Sequence, residues 1–220
     1  MPFSPLPRLR ASLVEVSRRL HQNGWVANHD GNASVRLNGG RLLITCTALS
    51  KRDVDEASLL VVDLEGKVLE GRKKPFSELE LHLAAYRARP EVDAVLHAHP
   101  PFATAFGLCG MELAPIGLPE MVVSLGARIP TLPRAMPRDP AGVKQVEANA
   151  AEYDAMLLSG NGALALGEDL TQAVLRMELV EHYAKILHAA RGLGSVQPLA
   201  DAEVAKLLEA RKKAGLGPHK

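Results

Sequence analysis

Cysteine is scarce in this chain. Its 220 residues include two, Cys46 and Cys109. They lie far apart and form no Cys-x-x-Cys pair, so the sequence gives no reason for a disulfide, and two reduced thiols in a cytoplasmic protein is the simplest expectation. An excess of either charge is also missing. The 26 basic and 25 acidic residues leave a formal net charge of +1. That balance argues against a general nucleic-acid or membrane-surface role. No apolar run approaches the length of a membrane span. The opening residues, Met1-Pro2-Phe3-Ser4-Pro5, lack a basic segment followed by an apolar one, so no targeting sequence is expected there. Internal repeats and low-complexity segments are absent as well.

What the chain does have is enough apolar material for a core. Hydrophobic residues make up 47% of it, and its length is ordinary for one α/β domain, so a single domain over 1–220 is expected.

The stretch with the clearest chemistry is Val95-Leu96-His97-Ala98-His99. The apolar run from Val92 to Leu96 reads as a buried strand, and Pro100-Pro101 stops it. Alternate residues on a strand point to one face. His97 and His99 therefore project together, with backbones about 7 Å apart. Two imidazoles at that spacing can meet on one cation, and imidazole suits zinc and related metals. The alternative is two polar residues at a strand end, facing solvent.

The segments around it supply further candidates. Leu6, Leu9, Leu13, Val16 and Leu20 recur at helical steps, and Asn23-Gly24 ends that helix. The polar turn Asn28 to Ser34 leads into Val35-Arg36-Leu37, and Asn38-Gly39-Gly40 returns the chain as a hairpin through Arg41 to Thr45. Turn amides around Asp30-Gly31-Asn32 can form an anion nest, and so can the stretch from Thr45 to Arg52, which adds hydroxyls and two cations. Either stretch can equally be a plain turn. Ser77 and Glu80 match a capping box at the start of a helix that carries Glu78 and His82 on one face and ends at Pro90. Residues 101–108 read as a short helix. The proline-rich stretch from Gly110 to Pro140 is expected to be strands and loops. A helix over 140–151 follows, then a hairpin around Ser159-Gly160-Asn161-Gly162, a long helix capped by Asp169 or Thr171, and a last helix over about 200–214 before a basic end.

Taken together, these segments resemble the class II aldolase/adducin family, and within it the fuculose-phosphate aldolase group. The resemblance covers nearly the whole chain. It is carried by Gly31-Asn32-Ala33-Ser34-Val35-Arg36, by Leu43-Ile44-Thr45-Cys46-Thr47, by Pro75-Phe76-Ser77-Glu78 with His82, by Ala94 to His99, and by the hairpin from Leu157 to Gly167 with the helix behind it.

The resemblance implies a three-layer α/β/α fold with a central, mainly antiparallel sheet, and a homotetramer. It implies a zinc ion held by the His-x-His pair, here His97 and His99, with a third ligand from the later hairpin. Glu78 matches the catalytic acid/base carboxylate and a metal contact. Gly31, Asn32, Thr47 and Ser77 match the positions that line a substrate phosphate. The implied activity is a metal-dependent aldolase that cleaves a phosphorylated ketose, similar to fuculose 1-phosphate, to dihydroxyacetone phosphate and an aldehyde. Epimerisation of a pentulose phosphate, dehydration of methylthioribulose phosphate and an adducin-like binding role are the alternatives within the family.

Four positions depart from the pattern. Asn161 stands where the hairpin should carry the third histidine, and an amide is a poorer zinc ligand than imidazole. Phe76 stands where serine is usual, and Ala48 where glycine is usual. The stretch from Pro115 to Leu125 contains no tyrosine, and Glu120 is its only acid. His29, in the polar turn, is a candidate substitute ligand.

Overall fold

The computed structural model describes residues 6–114, 116–136 and 138–218. The reading of residues 1–5, Pro115 and the last two residues of the basic end lie outside these.

Period-two alternation in the strands explains the architecture. Strands β1 (Asn32–Leu37), β2 (Arg41–Ile44), β3 (Leu60–Asp63) and β4 (Val68–Glu70) form one wing of a sheet. Strand β5 (Ala94–Ala98) joins this wing to β8 (Ala163–Gly167), β7 (Ala155–Leu158) and β6 (Thr131–Leu132). The order across the sheet is β4-β3-β2-β1-β5-β8-β7-β6. Every pairing is antiparallel except β6 with β7. The mainly antiparallel sheet expected from the sequence is therefore present, with one parallel edge.

Successive residues feed two separate cores. Ala33, Val35, Leu96, Ala98 and Ala165 point to one face. There they pack against helices α1 (Leu6–Gln22), α3 (Pro101–Leu108), α4 (Pro119–Leu125) and the long α6 (Leu170–Leu193). Leu42, Ile44, Val95, Leu164 and Leu166 point to the other face, against α2 (Leu79–Ala88) and α5 (Pro140–Ala150). The last helix, α7 (Asp201–Lys213), lies against α4. This is the three-layer α/β/α arrangement. Within it Asn32 and Ser34 on β1, and His97 on β5, fall on the α2 face by alternation with Ala33, Leu96 and Ala98.

Two local expectations are corrected. Among the residues between Gly110 and Pro140, a helix forms where strands and loops were expected. Pro119 stands in its first turn, where a missing N–H costs nothing. The capping box at Ser77 does not form. Helix α2 begins at Leu79, so Glu78 and not Ser77 stands at its N-cap position and no side chain caps it, while the Ser77 hydroxyl donates to the Glu78 carboxylate at 2.8 Å.

One buried charge cluster ties the layers. The Asp154 carboxylate, fully buried at the start of β7, pairs with Arg89 at 3.2 Å, with Arg176 at 3.0 Å and with Arg211. These arginines come from the end of α2, from α6 and from α7. Burial, with the neighbouring Arg211 and Arg89, lowers the Arg176 pKa to about 10 despite Asp154. Removing the one carboxylate would take an ion-pair partner from three buried guanidinium groups, of which Arg89 keeps Glu91. Asp154→Ala is expected to lower the unfolding free energy by about 3–5 kcal/mol in urea titration. A change below about 1 kcal/mol would contradict a structural role for the cluster.

Candidate active site

The site starts from a tight turn before β1. The Ala27 N–H donates to the Asp30 carboxylate at 2.6 Å, and the Asp30 N–H returns to the Ala27 carbonyl at 3.1 Å. Gly31 follows at φ +68°, where a Cβ would stand 2.4 Å from Val26 Cγ1 and 3.1 Å from the His97 carbonyl. Only glycine lets the turn approach β5 this closely. The turn places Asn32 directly opposite His97 in the β1–β5 register.

Asn32 then links two functional groups. Its amide nitrogen lies 3.3 Å from the Glu78 carboxylate and 3.3 Å from His97 Nδ1. His97 Nε2 meets the backbone carbonyl of Asn161 at 2.7 Å. A carbonyl can only accept, so Nε2 carries the proton and Nδ1 accepts from Asn32. This assigns His97 as a neutral ring. Burial pushes its pKa below the ordinary histidine value, and His99 adds to this, while Glu78 opposes it. The β7–β8 turn delivers that carbonyl through Gly162, where a Cβ would come 2.1 Å from the Ala98 carbonyl. Asn161 thus contributes its main chain to His97.

His99 lies just past β5, with its ring 5.1 Å from that of His97. Its Nδ1 is 3.4 Å from the Asp30 carboxylate, and its Nε2 is buried without a hydrogen-bond partner. The side-chain oxygen of Asn32 is also buried and unpartnered. Gly31, Asn32, Thr47, Ser77, Glu78, His97 and His99 all line one cavity of about 340 Å³, together with His29 and Asp30. Every site residue expected from the sequence except Asn161 borders this cavity. Beneath the turn, the buried Lys51 ammonium donates to the carbonyls of His29 (3.4 Å) and Leu49 (3.1 Å).

Behind the cavity is a buried chain that sequence reasoning did not anticipate. The Ser34 hydroxyl lies 2.7 Å from His82 Nδ1 and 2.8 Å from the Tyr86 hydroxyl. Phe76 stacks on the His82 ring at 4.9 Å between centroids, which gives the phenylalanine at this position a packing role. Ala48, the other departure in this region, sits at φ +57°, a backbone that glycine adopts freely and alanine adopts under strain of about 1 kcal/mol or more. The only signal for His82 was its shared helix face with Glu78. Asp30 gave none beyond its place in a turn.

Comparison with known proteins identifies the family. The model of the Class II Aldolase and Adducin N-terminal domain matches residues 11–188. The chain belongs to this family. It is 32% identical over 206 residues to a 3-oxo-tetronate 4-phosphate decarboxylase of Haemophilus influenzae, covering 91% of this chain and 96% of that one. It is 30% identical over 176 residues to an L-fuculose phosphate aldolase of Methanococcus maripaludis, covering 79% and 92%. A solved L-fuculose 1-phosphate aldolase superposes with a TM-score of 0.86 at 26% identity, covering 93% of this chain and 96% of that chain.

Class II aldolases are generally metal-dependent, which poses the question of fit. Two imidazoles and a carboxylate face one polar cavity, and the orphaned His99 Nε2 is a buried nitrogen in want of a partner. That donor chemistry suits a divalent transition metal. The arrangement is open, however. Among the described residues no three His, Cys, Asp or Glu side chains converge as a ligand group, and the β7–β8 turn brings a carbonyl to His97 where the family pattern has an imidazole.

Burial holds the His82 pKa well below the ordinary value of 6.5, and His97 adds to the effect. The unfolded chain therefore binds more protons than the folded one as pH falls through 6.5, and stability is lost in that direction. We expect the unfolding free energy, measured in urea with a chelator present, to fall between pH 7.5 and 5.5. Each histidine that stays neutral contributes at most about 1.4 kcal/mol per pH unit below its unfolded pKa. His82→Gln should flatten the slope, and an unchanged slope would contradict the assignment.

Proposed function

We propose that this protein is a carbon–carbon lyase that generates the enediolate of dihydroxyacetone phosphate in the 340 Å³ cavity and protonates it from Glu78. The observation that carries this reading is the Asn32 amide, which joins the Glu78 carboxylate and His97 at 3.3 Å each beside a glycine turn. The turn around Gly31 and Asn32, with the Thr47 hydroxyl and the main chain at Ser77, would seat a phosphate, and the buried Lys51 would add a positive field beneath it. The phosphate contributes orientation, not bond breaking.

Cleavage leaves the electrons of the broken bond on the carbon next to the carbonyl. Glu78 then delivers a proton to that carbon, with Ser77 and Asn32 holding its carboxyl in place. A divalent cation such as Zn²⁺, when held by His99 beside Glu78 and by His97 once its Nε2 gives up its proton and the Asn161 carbonyl, would supply Lewis acidity toward the substrate carbonyl. The Asn32 side-chain oxygen, buried and unpartnered, is placed to accept from a substrate hydroxyl.

Two substrate classes reach this same enediolate. A ketose 1-phosphate, such as fuculose 1-phosphate, would give it by release of an aldehyde. A 3-oxo-tetronate 4-phosphate would give it by release of carbon dioxide. Aldol cleavage needs a group to take the hydroxyl proton, whereas decarboxylation needs none. Among the described residues the cavity lining contains no tyrosine for that task, which favours the decarboxylase as the second reading. Zinc as the resident metal, a homotetrameric assembly and a cytoplasmic setting belong to this proposal.

The test is a substrate panel with added Zn²⁺, Co²⁺ or Mn²⁺. Ketose 1-phosphates and 3-oxo-tetronate 4-phosphate are offered, and dihydroxyacetone phosphate, aldehyde and carbon dioxide are followed. Triose phosphate release from one of these is expected, and Glu78→Gln should lower kcat by about 10²–10⁴-fold. Release from none of them, or full turnover by the variant, would overturn the reading. Inversion of a pentulose phosphate without triose phosphate would favour the epimerase alternative.

A further inference from the structure

His99 and Asp30 form a unit that the family pattern does not explain. Both are fastened to one rigid segment. The His99 N–H donates to the Trp25 carbonyl at 2.8 Å, and Asp30 is locked two residues beyond Asn28, which itself sits at φ +51°. The His99 ring is wedged beneath the β7–β8 turn, since a Cβ on Gly162 would lie 2.5 Å from His99 Cδ2. Its Nδ1 faces the Asp30 carboxylate at 3.4 Å.

This geometry orients the ring. An ionised carboxylate only accepts, so the contact favours the Nδ1-protonated form. With Nδ1 turned to Asp30, Nε2 is the ring nitrogen left without a hydrogen-bond partner. His97 differs, because its Nε2 proton is engaged by the Asn161 carbonyl at 2.7 Å.

We propose that Asp30 is a positioning residue for His99, holding the ring with Nδ1 protonated so that Nε2 is the nitrogen that takes a divalent transition-metal cation. Carboxylate support of this kind fixes the tautomer and raises the basicity of a metal-binding imidazole. In a site whose β7–β8 turn carries no histidine, such support strengthens one of the pair His97 and His99. The inference shares with the lyase reading the expectation that a cation binds in this cavity, and it does not depend on which bond is cleaved.

The experiment is zinc titration of the full-length protein against a chromophoric chelator, together with ¹⁵N spectra of the histidine rings in the metal-free protein. Wild type should bind zinc and show His99 protonated at Nδ1. Asp30→Ala should weaken zinc binding roughly ten- to hundredfold. Asp30→Glu should recover part of the loss. Equal affinity in folded Asp30→Ala, an Nε2-protonated His99 in wild type, or no zinc binding by wild type would each overturn the proposal. Should Asp30→Ala fail to fold, the tautomer in wild type still decides. Zinc binding that depends on Asp30, in a protein that cleaves none of the offered substrates, would keep this inference and remove the lyase reading.

Discussion

The pairing of Asn32 with His97 across β1 and β5 is the constraint on which the site depends. It exists because Gly31 lets the preceding turn press against β5, and because the register sets the two residues side by side on the α2 face. From that point everything else is fixed by short reach. The amide of Asn32 extends to Glu78 at the start of α2, and the other side of the His97 ring is held by the turn between β7 and β8. Four segments distant in sequence are thereby joined through one imidazole. The two glycines that permit close backbone approach, Gly31 and Gly162, lie on opposite sides of the same strand end.

The chemistry follows from how few groups the cavity brings together. It contains a carboxylate held by a hydroxyl and an amide, a neutral imidazole, a second imidazole with a free nitrogen, and a turn backed by a buried lysine. On the proposed reading this set holds a phosphate, polarises a carbonyl and returns a proton to carbon. It does not by itself dictate whether the leaving fragment is an aldehyde or carbon dioxide. That choice lies with the part of the cavity that meets the leaving fragment, and the family's decarboxylases and aldolases are similar to this chain to nearly the same degree.

Much of this was legible in the sequence because it is written in short-range pattern. Alternation in Val95 to His99 marked both the strand and the shared side of the two histidines. The polar glycine turn before Val35 and the Asn161-Gly162 hairpin stood out by composition. What was not legible depends on the main chain or on distant partners. A backbone carbonyl carries no side-chain signature, so the contact of Asn161 with His97 could not be read. Asp30 looked like any turn aspartate until the fold brought His99 beside it. Arg89, Arg176 and Arg211 are spread over more than half the chain and meet at Asp154 only through the layering. At Ser77 the local pattern pointed to a cap, yet the helix starts one residue later, with Glu78 at the cap position.

The central claim is that this cavity stabilises the enediolate of dihydroxyacetone phosphate and moves a proton at its carbon through Glu78. The most direct measurement is hydrogen–deuterium exchange into dihydroxyacetone phosphate itself, followed by NMR in D₂O with zinc present and no second substrate. The account predicts stereospecific wash-in at the carbon bearing the hydroxyl, catalysed by the wild-type protein and lost in Glu78→Gln, whichever fragment the natural substrate releases. Absence of exchange in a zinc-loaded, folded protein that binds the triose phosphate would contradict it.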